Sequence, residues 1–201
     1  MVSRRTRWVL LLLGRSDGIA QQGQSAPQNA EGNENAGEAA RIIKGFHIAP
    51  VPLNLQGKNV ALVGLGSYIV NAVGGCNDCH TSPPYAPGGD PFAGEPKQVN
   101  AARYLAGGTP FGPPGDPNTP VSRNLTPRAN GLPANLTWEQ FLQTIRTGAD
   151  LKHRPPFAPS ADNDLLQVMP WPVFQDMTDR DLRAVYEYLR AIPSLPSTPT
   201  P

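Results

Sequence analysis

Five consecutive residues, Cys76-Asn77-Asp78-Cys79-His80, constrain this chain more than anything else in its 201 residues. They hold both of its cysteines and one of its three histidines. Two thiols three positions apart, followed at once by an imidazole, is the attachment pattern for a c-type haem. The spacing has a chemical reason. One turn of backbone separates the sulfurs, so each can form a thioether with one of the two vinyl groups of the macrocycle. The next residue then brings a ring nitrogen to the iron from the same side, as a proximal histidine does.

Three other uses of paired cysteines fit less well. A closed zinc site needs four ligands, yet only His47, His80 and His153 remain as soft donors and no second ligand pair stands at a regular spacing. A thioredoxin-like dithiol calls for a preceding strand and a βαβ context. Here a glycine-interrupted helical pattern precedes the pair and a proline-rich loop follows. A plain disulfide leaves His80 without a role. Covalent haem accounts for all three residues, and the lack of a second Cys-x-x-Cys-His or of any internal repeat sets the expectation at one.

The length suits one domain plus tails. Gly 20 and Pro 24 together make 44 of the 201 residues, which predicts much loop and little regular structure. A large apolar macrocycle would supply the core that such a chain struggles to build. A net charge of +1 gives no basic field, so nucleic acid is not an expected partner. The start, Met1 to Arg7, is basic and runs into Trp8-Val9-Leu10-Leu11-Leu12-Leu13, like the first two regions of a secretory signal spanning residues 1–20, although its apolar run stops at Gly14. No uninterrupted apolar run approaches ~18 residues, so no transmembrane span is expected. Residues 21–40 are almost free of apolar side chains and read as a disordered linker. That leaves 41–196 as the folded domain and 197–201 as a frayed tail.

From Asn59, a plausible N-cap, Leu62, Val63, Gly66, Ile69, Val70 and Val73 fall on one face of an amphipathic helix, which Gly74-Gly75 ends. Gly66 leaves room on that face for another helix. From Thr81 to about Leu132 repeated Pro and Gly break every run, a long loop whose expected excuse is wrapping a cofactor, with Tyr104, Leu105 and Phe111 as apolar anchors. Thr137-Trp138-Glu139-Gln140 is a capping box, opening a helix that buries Phe141, Leu142 and Ile145 and stops at Gly148. A last helix starts at Thr178, buries Leu182, Val185, Tyr186, Leu189 and Ile192, and ends at Pro193. It is the natural partner for the glycine-notched face.

The candidates for a second axial ligand are Met169, Met177, His47 and His153. Met177 precedes the last helix, where it can pack onto Leu182 as a hydrophobic staple. Met169 stands before Pro170 and Pro172, which forbid helix and stiffen the loop that would hold its thioether. Met169 is therefore the choice, given the known His/Met option. His153, between Lys152 and Arg154, reads as part of a solvated cationic cluster, and His47 as incidental.

Residues 55–195 resemble a class I cytochrome c domain of the kind found as haem subunits of bacterial membrane-linked dehydrogenases. Beyond Cys76 to Thr81, the matching stretches are Gly66-Ser67-Tyr68-Ile69-Val70, Tyr104 to Thr109, Ser122 to Pro127, Arg146-Thr147-Gly148, Met169-Pro170-Trp171, Met177-Thr178-Asp179 and Ala184 to Leu189. The resemblance implies an all-α cytochrome c fold in which first and last helices cross. It implies one covalent haem c on Cys76 and Cys79, iron held by His80 and Met169, and Trp171 at the cofactor. Arg123 and Asn124 are expected as contacts of the haem propionates. The carbonyl of Pro83 or Pro84 is expected to accept from the other nitrogen of His80.

The function so implied is single-electron transfer in the periplasm. The chain would take an electron from a dehydrogenase or quinol-linked donor and pass it to a terminal acceptor through small, transient contacts, and would not be an enzyme itself. Two alternatives stay open: a peroxidase- or oxidase-like enzyme with an open sixth site, and a sensor whose weak axial ligand a small gas displaces.

Overall fold

The computed structural model describes residues 28–113, 116, 119–150 and 165–198, with side chains from residue 35. The expected leader, residues 21–27 and His153 lie outside that set. Among the described residues the regular structure is helical and no strand forms. Loop backbones pair only at isolated bridges such as Thr81 with Gly107 and Tyr85 with Val99.

Helix α2 (Val60–Tyr68) is the centre of the fold. Asn59 caps it, its side chain accepting from Leu62 N at 3.1 Å. The sequence places its apolar residues on one face, but five consecutive residues, Val63 to Ser67, are buried. A helix buried all round needs a neighbour on each side, and α2 has two. On one side lies the final helix, α6 (Asp179–Ala191), as expected: a Cβ on Gly66 would stand 1.9 Å from the Ala184 carbonyl oxygen and 2.7 Å from Tyr188 Cβ. On the other lies α1 (Gln28–Ile48), where a Cβ on Gly45 would stand 1.9 Å from Gly64 O and one on Gly64 2.6 Å from Phe46 Cε2. Ser67 Oγ donates to Gly45 O at 2.7 Å inside that crossing.

Helix α1 corrects the expected linker, because residues 28–40 are its first half rather than disordered chain. The cause is tertiary. Once Ile42, Gly45 and Phe46 dock on α2, the costly helix nucleus exists, and the preceding Ala- and Glu-containing residues extend it at one hydrogen bond each. Arg180 of α6 then reaches Glu38 through two guanidinium nitrogens, holding Glu38 below the usual carboxylate range.

After Tyr68 the helix widens into one π turn, Ile69–Val73, closed by Gly74 N donating to Ile69 O at 2.7 Å. The apolar spacing alone predicts a uniform α-helix over these residues. Gly75 then takes φ +59, a left-handed conformation natural to glycine, and turns the chain into the short helix α3 (Cys76–His80). The described residues of 81–136 form the expected irregular stretch, broken among them only by one-turn 3₁₀ helices at Pro91–Ala93 and Ala101–Arg103. Tyr104 ties this stretch to the helix crossing: its buried hydroxyl lies 2.9 Å from that of Tyr188 and donates to Asn71 Oδ1 at 2.5 Å.

Helix α4 (Trp138–Thr147) opens on the expected capping box, with Thr137 Oγ1 accepting from Gln140 N and Gln140 Oε1 accepting from Thr137 N. Gly148 ends it at φ +72, with the Trp171 ring packed where a side chain would be. A single turn, α5 (Trp171–Phe174), leads to Thr178, whose hydroxyl caps α6 by accepting from Asp181 N. Arg146 fastens this segment to α4 through the carbonyls of Gln175 and Met177 and the Asp179 carboxylate. The expected frayed end is held as far as Thr198. Leu195 N donates to Thr126 Oγ1 at 3.1 Å and Thr198 N to Ala106 O at 3.2 Å.

Two glycine substitutions separate crossing from propensity. Gly66→Leu is expected to lower stability by about 3 kcal/mol, because backbone rather than a flexible side chain occupies the space. Gly37→Ala, on α1 with nothing within 4 Å, is expected to raise it by somewhat under ~1 kcal/mol. Denaturant midpoints of the two variants check both signs.

Candidate functional site

Cys76, Cys79 and His80 open onto a cavity of about 730 Å³ whose wall is mostly apolar. Its lining comes from the π turn, the long loop and helices α3 to α6. Ile69 and Val70 come from the π turn, Leu125, Pro133 and Leu136 from the loop, Phe141 and Ile145 from α4, and Leu182, Val185 and Leu189 from α6. Met169 and Met177 both reach it, with Phe174 between them in sequence. The volume lies within the range usual for cofactor pockets.

The backbone of α3 sets the first three residues. Asp78 N donates to Gly75 O and Thr81 N to Asn77 O, so the two cysteines and the histidine share one and a half turns. Thr81, fully buried, accepts from Leu105 N on its Oγ1 at 2.9 Å. Leu105 sits at φ +56, a strained value for a branched side chain. Its amide on Thr81 and its carbonyl, which accepts from Leu125 N at 2.8 Å, hold it there. The loop is thus pinned directly behind His80.

His80 Nδ1 lies 2.7 Å from the carbonyl oxygen of Arg123. A carbonyl only accepts, so Nδ1 carries the proton and Nε2 keeps a lone pair for a metal or other electrophile. Burial lowers the pKa of His80, an effect the Arg123 carbonyl partly offsets, and the ring stays neutral. This corrects the expected partner. The carbonyl of Pro83 accepts instead from Asn100 Nδ2 at 3.1 Å, and that of Pro84 from Asn77 Nδ2 at 3.2 Å.

The two cysteines are free thiols, not a disulfide. Burial pushes the Cys76 thiol up to about 11 and raises Cys79 as well. Among the described residues no group of three or more His, Cys, Asp or Glu side chains is placed to share one metal ion. What the arrangement suits is an apolar group with an electrophilic centre, anchored through the sulfurs and approached by a neutral imidazole. A haem fits that description.

The other expected site residues divide. Arg123 lines the cavity, but its guanidinium pairs with Asp150 at 2.5 Å. Of the three loop anchors, Phe111 lines the cavity, while Tyr104 and Leu105 are buried beside it, Tyr104 beneath the α2–α6 crossing. Asn124 is buried on the far side of the loop, accepting from Thr126 N and donating to Leu195 O. Trp171 packs on Gly148 and donates from Nε1 to Leu166 O at 3.2 Å. His47, on the last turn of α1, is exposed and away from the cavity lining. Sequence reasoning missed Thr144, Asp150 and Leu136 in the wall. Thr144 carries a legible signal, since it lies one turn from Phe141 and beside Ile145 on the buried face of α4.

No protein-family profile matches the chain, and no solved structure does. Over 130 residues it is 31% identical to the gluconate 2-dehydrogenase cytochrome c subunit of Pantoea cypripedii, a match that covers 65% of this chain and 23% of that protein. The chain therefore spans about a quarter of the length of the curated relative it matches, and is a distant relative of a dehydrogenase's cytochrome c subunit. Among the described residues no helix is long and apolar enough to cross a membrane.

Thr81→Val keeps the shape of the side chain and removes the acceptor for Leu105 N. The expected cost is about 2 kcal/mol, that of leaving a buried amide unpaired. Chemical denaturation of the purified protein measures it, with Thr81→Ser expected to retain most of the lost stability.

Proposed function

We propose that this chain is a one-haem electron carrier. Cys76 and Cys79 hold the cofactor covalently, and His80 and Met169 are the axial ligands. The observation that carries the reading is that these four residues, drawn from two distant parts of the sequence, line one apolar cavity. The distant likeness to a cytochrome c subunit agrees with it.

A haem bound there supplies a one-electron iron couple. The protein's part is positional and electrostatic. The sulfurs of Cys76 and Cys79 fix the macrocycle's edge, and the Arg123 carbonyl orients His80 and keeps Nε2 free to bind iron. Val70, Leu136, Phe141, Ile145, Leu182 and Leu189 keep water from the macrocycle faces, which favours a narrow change in solvation on electron transfer. Prolines 170 and 172 limit the excursions of Met169. A thioether ligand favours the reduced iron and raises the potential, which suits a carrier working late in a chain. With His80 and Met169 both holding the iron, a peroxide or a gas would have to displace Met169 in order to bind. We place the carrier in the periplasm, between a dehydrogenase or quinol-linked donor and a terminal acceptor, with contacts of the small redox class.

Met177 reaches the same cavity and is the competing thioether. Two substitutions decide between them in protein matured with haem. Met169→Ala is expected to abolish the methionine-to-iron charge-transfer band at the red end of the oxidised spectrum and to lower the midpoint potential. Met177→Ala is expected to keep the band and to cost about 2 kcal/mol of stability through lost packing. Loss of the band in Met177→Ala instead reverses the assignment. Pigment that leaves the chain in acidified organic solvent, or fails to stain on a denaturing gel, ends the proposal of covalent haem.

A further inference from the structure

A helical threonine usually satisfies its hydroxyl on the carbonyl one turn back. Thr147 of α4 does so, donating to Gln143 O at 2.8 Å. Thr144, three residues earlier on the same helix and facing the cavity, does not. Its Oγ1 is buried and has no hydrogen-bond partner among the described residues. A buried hydroxyl left unmade is costly, and such groups call for an explanation.

The rest of the described wall sharpens the contrast. Ser122 Oγ accepts from Thr109 N at 2.9 Å, Thr119 Oγ1 donates to Pro113 O at 3.3 Å, and Gln167 Nε2 donates to Leu165 O at 3.0 Å. The two residues that the sequence nominates for a cofactor carboxylate are engaged as well: the Arg123 guanidinium lies on Asp150, and the Asn124 amide donates to Leu195 O. Among the polar side chains described around the cavity, Thr144 is the one whose hydroxyl has no protein partner.

We propose that Thr144 Oγ1 donates a hydrogen bond to a carboxylate of the bound haem, making it a cofactor-holding residue on α4. The inference rests on the haem reading above. A haem's propionates are the strong acceptors on its rim, and a carboxylate drawn into a mostly apolar cavity needs donors. A hydroxyl on a carboxylate is a charge-assisted bond, whereas a thioether sulfur is a weak acceptor, so the axial methionine is the poorer alternative.

The test is redox-difference infrared spectroscopy of the haem-loaded protein, with isotope label confined to the carboxylate carbons of the cofactor. In the unsubstituted protein a labelled carboxylate band is expected to shift on transfer to heavy water. The shift should persist in Thr144→Ser and be lost in Thr144→Val, with haem content and visible spectrum unchanged. A labelled band indifferent to heavy water in the unsubstituted protein overturns the proposal whether or not the variants fold. So does a Thr144→Val protein whose labelled bands match the parent. If Thr144→Val instead moves the methionine-to-iron band and leaves the carboxylates alone, the hydroxyl serves the axial sulfur and the proposal is wrong. In each of these results the protein still carries covalent haem, so they are distinct from a failure of the haem reading, which would show as colourless protein.

Discussion

The close approach of α2 and α6 at Gly66 is the contact from which the rest of this structure is hung. The Ala184 carbonyl lies where a side chain would be, so the two backbones touch and the crossing has one possible depth. Asn71, in the π turn that follows α2, then donates to the Tyr188 hydroxyl at 3.1 Å, and both residues bond the hydroxyl of Tyr104. Burial raises both phenol pKa values, that of Tyr104 well above its ordinary range, so the three groups stay neutral donors and acceptors rather than charges. A fully satisfied network of this kind specifies one arrangement more sharply than apolar packing alone. It joins the first helix of the crossing, the last helix and the long loop at a point just ahead of Cys76. The position of the Cys-x-x-Cys-His turn is therefore an output of a helix crossing made by residues over a hundred positions apart.

Local chemistry was legible in the sequence wherever one residue type does one backbone job. Asn59, Thr137 with Gln140, and Thr178 cap helices where their side chains read as caps, and Gly148 stops a helix at a left-handed φ. Cys76, Cys79, His80 and Met169 stand out in the sequence, because the spacing of the first three and the prolines after the fourth have few other uses, and the fold brings all four to one cavity wall. What escaped depends on partners far along the chain. Helix α1 exists because Gly45 meets Gly64 and Arg180 meets Glu38, 142 residues away, and nothing in the polar composition of residues 28–40 announces either contact. The carbonyl that orients His80 escaped for a different reason. A backbone oxygen is common to every residue, so Arg123 carries no sign of that role, and its conspicuous side chain drew the reading elsewhere. Tyr104 was placed at the cavity as a large apolar ring in a loop, but its hydroxyl, buried with it, needed the partners that only the crossing offers.

The long Pro- and Gly-rich stretch stops being an anomaly once its bonds are traced. Gly107 N donates to His80 O at 2.7 Å, Leu105 N to Thr81 Oγ1, Ser122 N to Thr109 O and Leu125 N to Leu105 O. Each joins a short turn to another turn or to the residues of α3, so backbone groups are satisfied without helix or sheet. The same bonds bring Arg123 to His80 and Leu125 to the cavity wall. A loop of this length is tolerated in a small domain because it forms one side of a site.

Size decides what that site is for. A cavity of about 730 Å³ lies within the range of cofactor pockets, and its mostly apolar wall is surface that an occupant would cover. Side chains here leave that space in the middle of the fold while packing closely at the α1–α2 and α2–α6 crossings, where even a methyl group would not fit. Loose packing in one place and glycine-tight packing beside it do not come from a generally poor core. They fit a fold shaped around an occupant, and on the haem reading proposed above that occupant would be held through Cys76 and Cys79. On that reading, attachment through two covalent bonds would also remove the dissociation that otherwise leaves so large an apolar surface to water, and would serve the stability of the chain as well as the retention of the cofactor.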